Sequence, residues 1–485
     1  MAGRASRDMT EGPVFGHISR MMIPMSFGIV AMMLTGVIDT YWVGTLGTSQ
    51  QAAVQLSFPV TMLVMSISIG LGAGAVSVVS RAAGEKDDTI IRRTATDALS
   101  LSILAVGLVS ILGVIFVEPL FRLIGASDTM IPHVVDYMTV WFGGIVLIVG
   151  PMVASNILRA LGNAVLPSMM MIGAAVVNMI LDPIFILDEI SLGWAGIEWS
   201  ATALGWGVSG AALATVAANA VTFLMIGAYL VFREKLIDFS WHGFDELFHN
   251  WGEIARVGLP AAASNTFNPF ALTIVMGGLG MAQFGDAAVG GVGVAARLEA
   301  FAIVPLFALS ASIGPVTGQN GGAGITSRVR EAFAKSFLFC LLWSLAMAVI
   351  ILLLSRWLAP AFLPSEMGQE VARSYWGLVT LTIAGYGISM AASAGFNGLG
   401  RPSFGVMITS SRAIMMAVFA VLGGILFNAP LGVIAGIALA NILSGLGTAG
   451  WVLFRAPMEA SKRRKRKQAQ AAVPADAAPA TDASE

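Results

Sequence analysis

The chain has 485 residues, of which 56% are hydrophobic and only 11% charged, and its mean hydropathy is +0.82. Soluble domains carry about a quarter charged residues, so this composition excludes a water-soluble globular protein and indicates a polytopic membrane protein. A single cysteine, Cys340, excludes an intrachain disulfide, and the net charge of -1 favours no particular partner.

Apolar runs of about 20 residues recur along the chain, which is the length that crosses a bilayer as an α-helix. Twelve spans are predicted, at 17–43, 52–78, 94–117, 130–153, 164–187, 204–232, 252–281, 287–316, 332–354, 371–396, 403–427 and 431–455. The fold class is therefore an all-α polytopic membrane protein. The first span is expected to be retained, because no small-residue cleavage site follows it. The segment 188–204 places acidic residues among tryptophans and is expected to form a flap at the membrane surface.

Lys and Arg are distributed unevenly between the predicted connections. With a cytoplasmic amino terminus, 23 of the 27 fall in the two tails and the even-numbered connections, Arg412 among them, and Arg297 falls inside a span. Positive residues accumulate on the cytoplasmic side, so both termini are predicted to be cytoplasmic in a bacterial-type plasma membrane. The basic run at 462–467 is expected to bind anionic membrane lipids rather than nucleic acid, and the residues after it to be disordered.

Short motifs recur in the two halves of the sequence. An Ile-x-Arg-(x)3-Pro motif ends at Pro24 and again at Pro260, 236 residues later, and Leu-Gly recurs at 161 and 399. Each half holds six spans, and an even number gives both halves the same orientation, so the repeats are parallel. The predicted organisation is a tail (1–16), an N-lobe (17–232), a cytoplasmic linker (233–250), a C-lobe (251–456) and a second tail (457–485). Two such lobes suit alternating access.

Few polar side chains remain inside the spans. In the first lobe they include the carboxylates of Asp39 and Asp182 and the amide of Asn178. Asn178 and Asp182 are four residues apart and share one helix face, and Pro183 leaves a backbone acceptor free beside the carboxylate. A rise of about 1.5 Å per residue puts Asp39, Asp182 and Thr215 in the outer half of the membrane. Carboxylates in hydrocarbon are costly and mark functional sites, so an oxygen-rich site for Na⁺ or a shared proton is predicted. The alternatives are a helix that simply ends at Asp-Pro, and a Thr215 that only packs helices.

Four motifs together carry a resemblance. They are Val-Ile-Asp-Thr at 37–40, Leu-Arg-Ala-Leu-Gly at 158–162, Asn-(x)2-Leu-Asp-Pro at 178–183 and Gly-Val-Ser-Gly-Ala-Ala-Leu-Ala-Thr at 207–215. In this combination the chain resembles the multidrug and toxic compound extrusion (MATE) family over residues 17–455. The resemblance implies an exporter of bulky, lipophilic or cationic compounds, driven by Na⁺ or H⁺ returning inward.

The resemblance also implies roles for particular residues. Pro24 would mark a bend in the first helix. The cation-coupling set, which would also hold the metal if the ion is Na⁺, would be Asp39, Asn178, Asp182 and Thr215, with Ala211 in the same motif as Thr215.

The second lobe departs from the norfloxacin-exporter branch of the family. Its seventh span carries Asn265 and Asn268 instead of a deep acid, and the tenth has no deep acid, which favours the DNA-damage-inducible branch. Arg297 and Glu299 lie on nearly opposite helix faces and are not expected to pair with each other. The candidates for the substrate cavity are Asn265, Asn268, Arg297 and Glu299, and Arg297 is expected to be the one buried cation.

Other functions stay open at this point. A flippase for lipids or lipid-linked oligosaccharides shares the two-lobe design, but several buried cations would be expected. An intramembrane enzyme would need a motif such as Gly-x-Gly-Asp or His-Glu-x-x-His, and the sequence has neither. A passive channel suits two homologous lobes less well than alternation does. We expect a monomeric, non-enzymatic transporter of small molecules that needs no cofactor beyond H⁺ or Na⁺.

Overall fold

The computed structural model describes residues 8–194, 197–237, 244–277 and 280–459. Within these residues, twelve helices are long and apolar enough to cross a membrane, so the predicted number of spans and the fold class are confirmed. They are α1 (Val14–Leu46), α2 (Thr48–Gly84), α3 (Asp88–Ile124), α4 (Ile131–Ala160), α5 (Val165–Ile186), α6 (Gly207–Ala228), α7 (Phe244–Met276), α8 (Asp286–Gly322), α9 (Thr326–Phe362), α10 (Glu366–Gly398), α11 (Pro402–Phe427) and α12 (Pro430–Phe454). A π-helical turn, Tyr229–Arg233, extends α6, and another, Trp376–Thr380, lies within α10; a 3₁₀ turn, Met281–Phe284, precedes α8.

Most helices are longer than the apolar runs that predicted them. For example, α3 begins where the Asp87 side chain accepts a hydrogen bond from the Ile90 amide, six residues before the predicted span. Likewise α7 begins at Phe244, inside the predicted linker. Hydropathy marks only the part of a helix that lies in hydrocarbon, whereas capping groups set its ends. The predicted basic run and disordered tail lie outside the described residues.

The predicted surface flap contains a β-hairpin. Strand β1 (Glu189–Trp194) pairs antiparallel with β2 (Ile197–Thr202), with Glu189 opposite Thr202. The chain then returns to the end of α5 through backbone hydrogen bonds, including Leu204 N to Ile184 O at 2.9 Å. The hairpin therefore connects the end of α5, which carries Asn178 and Asp182, to the start of α6, which carries Thr215.

The two sets of six helices pack in the same pattern. In the first, α1 packs on α5, α4 on α6 and α2 on α4; in the second, α7 packs on α11, α10 on α12 and α8 on α10. Between the sets, the main contacts are α1 with α8, α2 with α7, and α2 with α8. Exchanging the sets converts the first two contacts into each other and leaves the third unchanged, as a parallel two-fold pseudo-symmetry requires. We call α1–α6 the first repeat and α7–α12 the second repeat.

The repeats are closed against each other at one end, which we call the inner end because the positive-charge pattern predicts that it faces the cytoplasm. There α2 and α8 meet through glycines. A Cβ on Gly84 would lie 2.0 Å from the Gln319 carbonyl oxygen, and one on Gly322 would lie 2.3 Å from the Arg81 carbonyl oxygen. A larger residue at either glycine would push the helices apart. Gly84 and Gly322 are 238 residues apart, as are Arg81 and Gln319, so the closure itself follows the repeat.

Candidate cation site

The structure brings Asp39, Asn178 and Asp182 together. Asp39 lies beyond the midpoint of α1, and the other two share one face of α5, which packs on α1. The Asn178 amide nitrogen donates to Asp182 Oδ1 at 3.2 Å. The carboxyl groups of Asp39 and Asp182 are close enough to interact with each other. Two helices of the first repeat therefore place two carboxyls and one amide at a single point.

Three oxygens of this cluster are buried and accept no hydrogen bond: Asp39 Oδ1, Asn178 Oδ1 and Asp182 Oδ2. Asp182 is fully buried, and Asn178 is 4% exposed. Buried acceptors in native proteins nearly always have a donor. Two adjacent carboxylates also repel each other unless a proton or a cation lies between them. The residues present therefore fit either Na⁺, which prefers oxygen ligands, or a shared proton.

An open cleft reaches the cluster from one side. It has a volume of about 230 Å³ and lies between α1, α2, α4 and α6 of the first repeat. Asp39 forms part of its wall, and the polar residues that line it with Asp39 include Thr40, Gln51, Gln55, Thr61, Tyr137 and Thr215. An ion could thus approach Asp39 through a polar path, whereas Asp182 lies behind it.

Thr215 and Ala211 line this cleft without joining the carboxyl pair. The Thr215 hydroxyl donates to the Ala211 carbonyl oxygen, one helical turn earlier, at 3.2 Å. Ala211 itself is buried. The five predicted residues are therefore divided into a cluster of three and two that line the approach.

Tyr137 belongs to the site and was missed by the sequence analysis. It lies on α4, lines the cleft beside Asp39 and interacts electrostatically with both Asp39 and Asp182. The repeat held a signal that could have found it, because Tyr375 lies 238 residues later. Equivalent places in the two repeats thus hold a tyrosine that interacts with a carboxyl.

The second repeat holds its carboxyl on a different helix. The Tyr375 hydroxyl, on α10, donates to Glu299 Oε2, on α8, at 2.7 Å. Glu299 is 5% exposed. Its side chain is thus buried in the outer half of α8, held by the pseudo-symmetric counterpart of Tyr137.

A buried arginine accompanies this carboxyl. Arg412 lies within α11 and is 6% exposed. It donates to Asn268 Oδ1 at 2.6 Å and to Asn441 Oδ1 at 2.9 Å, and its guanidinium carbon lies 4.2 Å from the centre of the Tyr386 ring. Glu299 interacts with it electrostatically across the repeat. Arg412 therefore links α7, α10, α11 and α12.

Two predictions about cations were wrong. Arg297 is exposed rather than buried, whereas Arg412, which was assigned to a cytoplasmic connection, is buried. Arg412 follows Thr409-Ser410-Ser411 near the start of its apolar run, and hydropathy reads such a polar stretch as a helix end. Amide oxygens from other helices, which a single-sequence pattern does not show, make its burial tolerable. Of the two predicted asparagines, Asn268 joins Arg412, whereas exposed Asn265 donates to the Ala261 carbonyl oxygen.

Twelve helices in two parallel repeats, with a carboxyl pair beside a cleft, define a polytopic membrane protein of the transporter class. The MatE family model matches residues 24–184 and 260–422, one segment in each repeat. The chain belongs to this family, the multidrug and toxic compound extrusion family, and is a transporter rather than an enzyme.

Known relatives extend along most of the chain. An FAD transporter of Shewanella oneidensis is 29% identical over 90% of this chain and 94% of its own length. A probable multidrug resistance protein of Bacillus subtilis, YpnP, is 28% identical over 66% of this chain and 68% of its own. The solved outward-facing structure of a multidrug resistance MATE transporter superposes with a TM-score of 0.83, at 27% identity over 94% of this chain and 98% of that one.

Proposed function

We propose that the protein is a secondary active exporter that couples the entry of H⁺ or Na⁺ to the efflux of lipophilic or cationic compounds. The observation that carries the proposal is the set of three buried oxygens without a donor on Asp39, Asn178 and Asp182. Such a set is costly unless something positive binds to it part of the time. An open cleft beside Asp39 and a closed inner end supply the two sides that alternating access requires.

The coupling follows from charge. A proton or Na⁺ that enters through the cleft neutralises the carboxyl pair, and α1 and α5 then pack more closely. If that change weakens substrate binding, the ion expels the substrate outward. Because both ligands act on one two-state element, each must weaken the other by the same free energy. Ion binding and substrate binding thus oppose one another.

Pro24 supplies a point where α1 can bend, because its ring nitrogen cannot donate to the Arg20 carbonyl oxygen. We expect Pro24→Ala to restore that hydrogen bond and stiffen α1, so that efflux slows several-fold while the protein still folds. Initial efflux rates in liposomes, normalised to reconstituted protein, measure this effect. Pro59→Ala, at a proline inside α2, is the matched control. A Pro24→Ala rate equal to that of the unmodified protein would remove the bend from the cycle.

A flavin dinucleotide is a second candidate substrate. The relative named as an FAD transporter aligns with 90% of this chain, whereas the multidrug relative YpnP aligns with 66%. Buried Arg412 also gives the second repeat a cation that could balance an anionic group. This observation keeps an anionic, aromatic substrate beside the lipophilic cations.

One experiment addresses both the ion and the substrate. Proteoliposomes are loaded with a fluorescent cationic dye or with flavin adenine dinucleotide, and inward Na⁺ and proton gradients are imposed separately. We expect efflux of at least one compound to accelerate with one gradient and to stop when an ionophore collapses it. Efflux that ignores both gradients would leave a passive channel or a lipid flippase as the function.

Several finer assignments belong to the same proposal. We place the chain in the DNA-damage-inducible branch, because its second repeat has no deep acid in α7 or α10, although Glu299 supplies one in α8. We also propose a plasma-membrane location with both termini cytoplasmic. Since each polar cluster is built within one chain, we propose that the transporter works as a monomer, with lobes at 17–232 and 251–456.

A further inference from the structure

The residues before α1 run across the inner end and bind both repeats. Asp8 forms an ion pair with Lys86, just beyond α2, with 3.0 Å between Oδ2 and Nζ. The next residue, Met9, is 2% exposed, and its amide donates to Gln319 Oε1 at 3.0 Å. Gln319 in turn donates to the Ala160 carbonyl oxygen, at the end of α4, at 2.9 Å. One short segment therefore joins the ends of α2, α4 and α8.

Arg328, near the start of α9, holds this segment from the second repeat. Its guanidinium donates to the carbonyl oxygens of Gly12 at 2.8 Å, Met9 at 3.1 Å and Glu11 at 3.2 Å, and to Asn320 Oδ1 at 2.9 Å. Asn320 donates to the same Met9 carbonyl oxygen at 3.0 Å. Four charge-assisted hydrogen bonds on one side chain make a strong and directional contact.

The ion pair on the other side is present at neutral pH. Burial raises the pKa of Asp8, but hydrogen bonds from Thr10 and Lys86 outweigh burial and hold that pKa below its usual range. The same contact raises the pKa of Lys86. Asp8 therefore contributes its contact above the usual carboxyl range and loses it as the pH falls through its lowered pKa.

The segment continues directly into α1, which belongs to both repeats. Its inner half packs in one hydrophobic cluster with the second repeat, which contains Ile18, Met21 and Met25 of α1 with Leu309, Ile313 and Phe333. Its outer half carries Asp39 against α5 of the first repeat. Pro24 lies within the inner half. One helix therefore connects the cation site to the segment that Arg328 holds.

We propose that residues 8–12 and Arg328 form the inner gate of the transport cycle, and that Arg328 must release this segment before α2 and α8 can separate. The proposal rests on the alternating access proposed above. When the inner end opens, Lys86 and Ala160 of the first repeat must separate from Gln319 and Arg328 of the second. Residues 8–12 cross this boundary. Weakening the Arg328 contact should therefore favour the inward-open state.

Thiol labelling of a buried position at the boundary tests the gate. Ser80 is fully buried on α2 and its hydroxyl lies against Gly318 of α8, so a Ser80→Cys thiol reacts with a water-soluble maleimide only when the helices separate. With reagent limiting, the labelling rate follows the open fraction. We expect Arg328→Gln to raise that rate about tenfold or more, since hydrogen bonds to a charged group are lost. Arg328→Lys, which keeps the charge without the fork of donors, should give a smaller rise.

Two controls separate gating from unfolding. Arg330→Gln removes the same charge from an exposed position on the same helix and should leave the rate within about twofold of the parent. Native Cys340, buried in α9, reports general loosening by its own labelling in the same sample. Equal rates for Arg328→Gln and Arg330→Gln would overturn the proposal, as would equal acceleration at Cys340. Repeating the Arg328→Gln labelling in the Asp39→Asn background separates failure of the gate from failure of the proposed coupling site. If only the coupling site is wrong, Arg328→Gln still accelerates labelling to the same extent.

Discussion

We expect Asp182→Asn to remove ion-driven efflux, and Asp39→Asn to have the same effect, while both proteins still reach the membrane. An amide at either position mimics the neutral carboxyl and cannot switch, so the ion no longer distinguishes the two states of the first repeat. A coupling of about 5- to 150-fold between ion and substrate would be lost. Efflux under an imposed gradient should fall to the level of protein-free liposomes, whereas equilibrium binding of the substrate persists.

The matched control is Asp136→Asn. Asp136 precedes Tyr137 on α4 and is exposed, so it carries the same charge near the cleft without belonging to the buried cluster. Its substitution should leave the efflux rate nearly unchanged. Glu299→Gln should reduce efflux less than Asp39→Asn and alter mainly the choice of substrate. Full pumping by Asp39→Asn together with an inactive Glu299→Gln protein would place the coupling site in the second repeat.

Much of the architecture could be predicted from the sequence, because long apolar runs identify membrane-spanning helices. The repeat shift of 236 to 238 residues predicted two parallel sets of six, and the same shift relates the glycine contacts at the inner end. The i, i+4 spacing of Asn178 and Asp182 predicted that they share a face, and they are hydrogen-bonded in the structure. These features depend on local periodicity, which one sequence contains.

Most features that sequence reasoning missed depend on contacts between segments that are distant in the sequence. Tyr137 is an ordinary interfacial tyrosine until α4 places it beside Asp39. The sequence predicted Arg412 at the end of a span, because the local pattern does not show its acceptors, Asn268 and Asn441, which lie 144 and 29 residues away. The strands after α5 pair with each other at a membrane surface where hydropathy predicts only a flap. Partners of this kind become visible only when the helices are assembled.

We expect Arg412→Met to destabilise the second repeat more than the removal of any exposed charge does. The change leaves the oxygens of Asn268 and Asn441 without their donor and leaves Glu299 without the cation that offsets its charge. Hydrogen bonds between membrane helices contribute about 0.6 kcal/mol each on average, and Arg412 makes one to Asn268 and two to Asn441, so the lost bonds alone cost about 2 kcal/mol. Thermal unfolding in detergent should shift down by several degrees. Arg373→Met, at an exposed position of α10, should shift it little.

A double substitution shows whether the loss comes from unpaired partners. Adding Asn441→Leu to Arg412→Met replaces both members of the pair by apolar groups, which is nearly neutral where removing one member is not. We therefore expect the double variant to lose less stability than the sum of the two single variants. Ion-dependent efflux should persist wherever the protein folds, because the carboxyl pair lies in the other repeat. If the stability losses of the two single variants add up in the double variant, Arg412 does not act as the shared hydrogen-bond donor to its neighbours. Another group would then have to compensate for the burial of its charge.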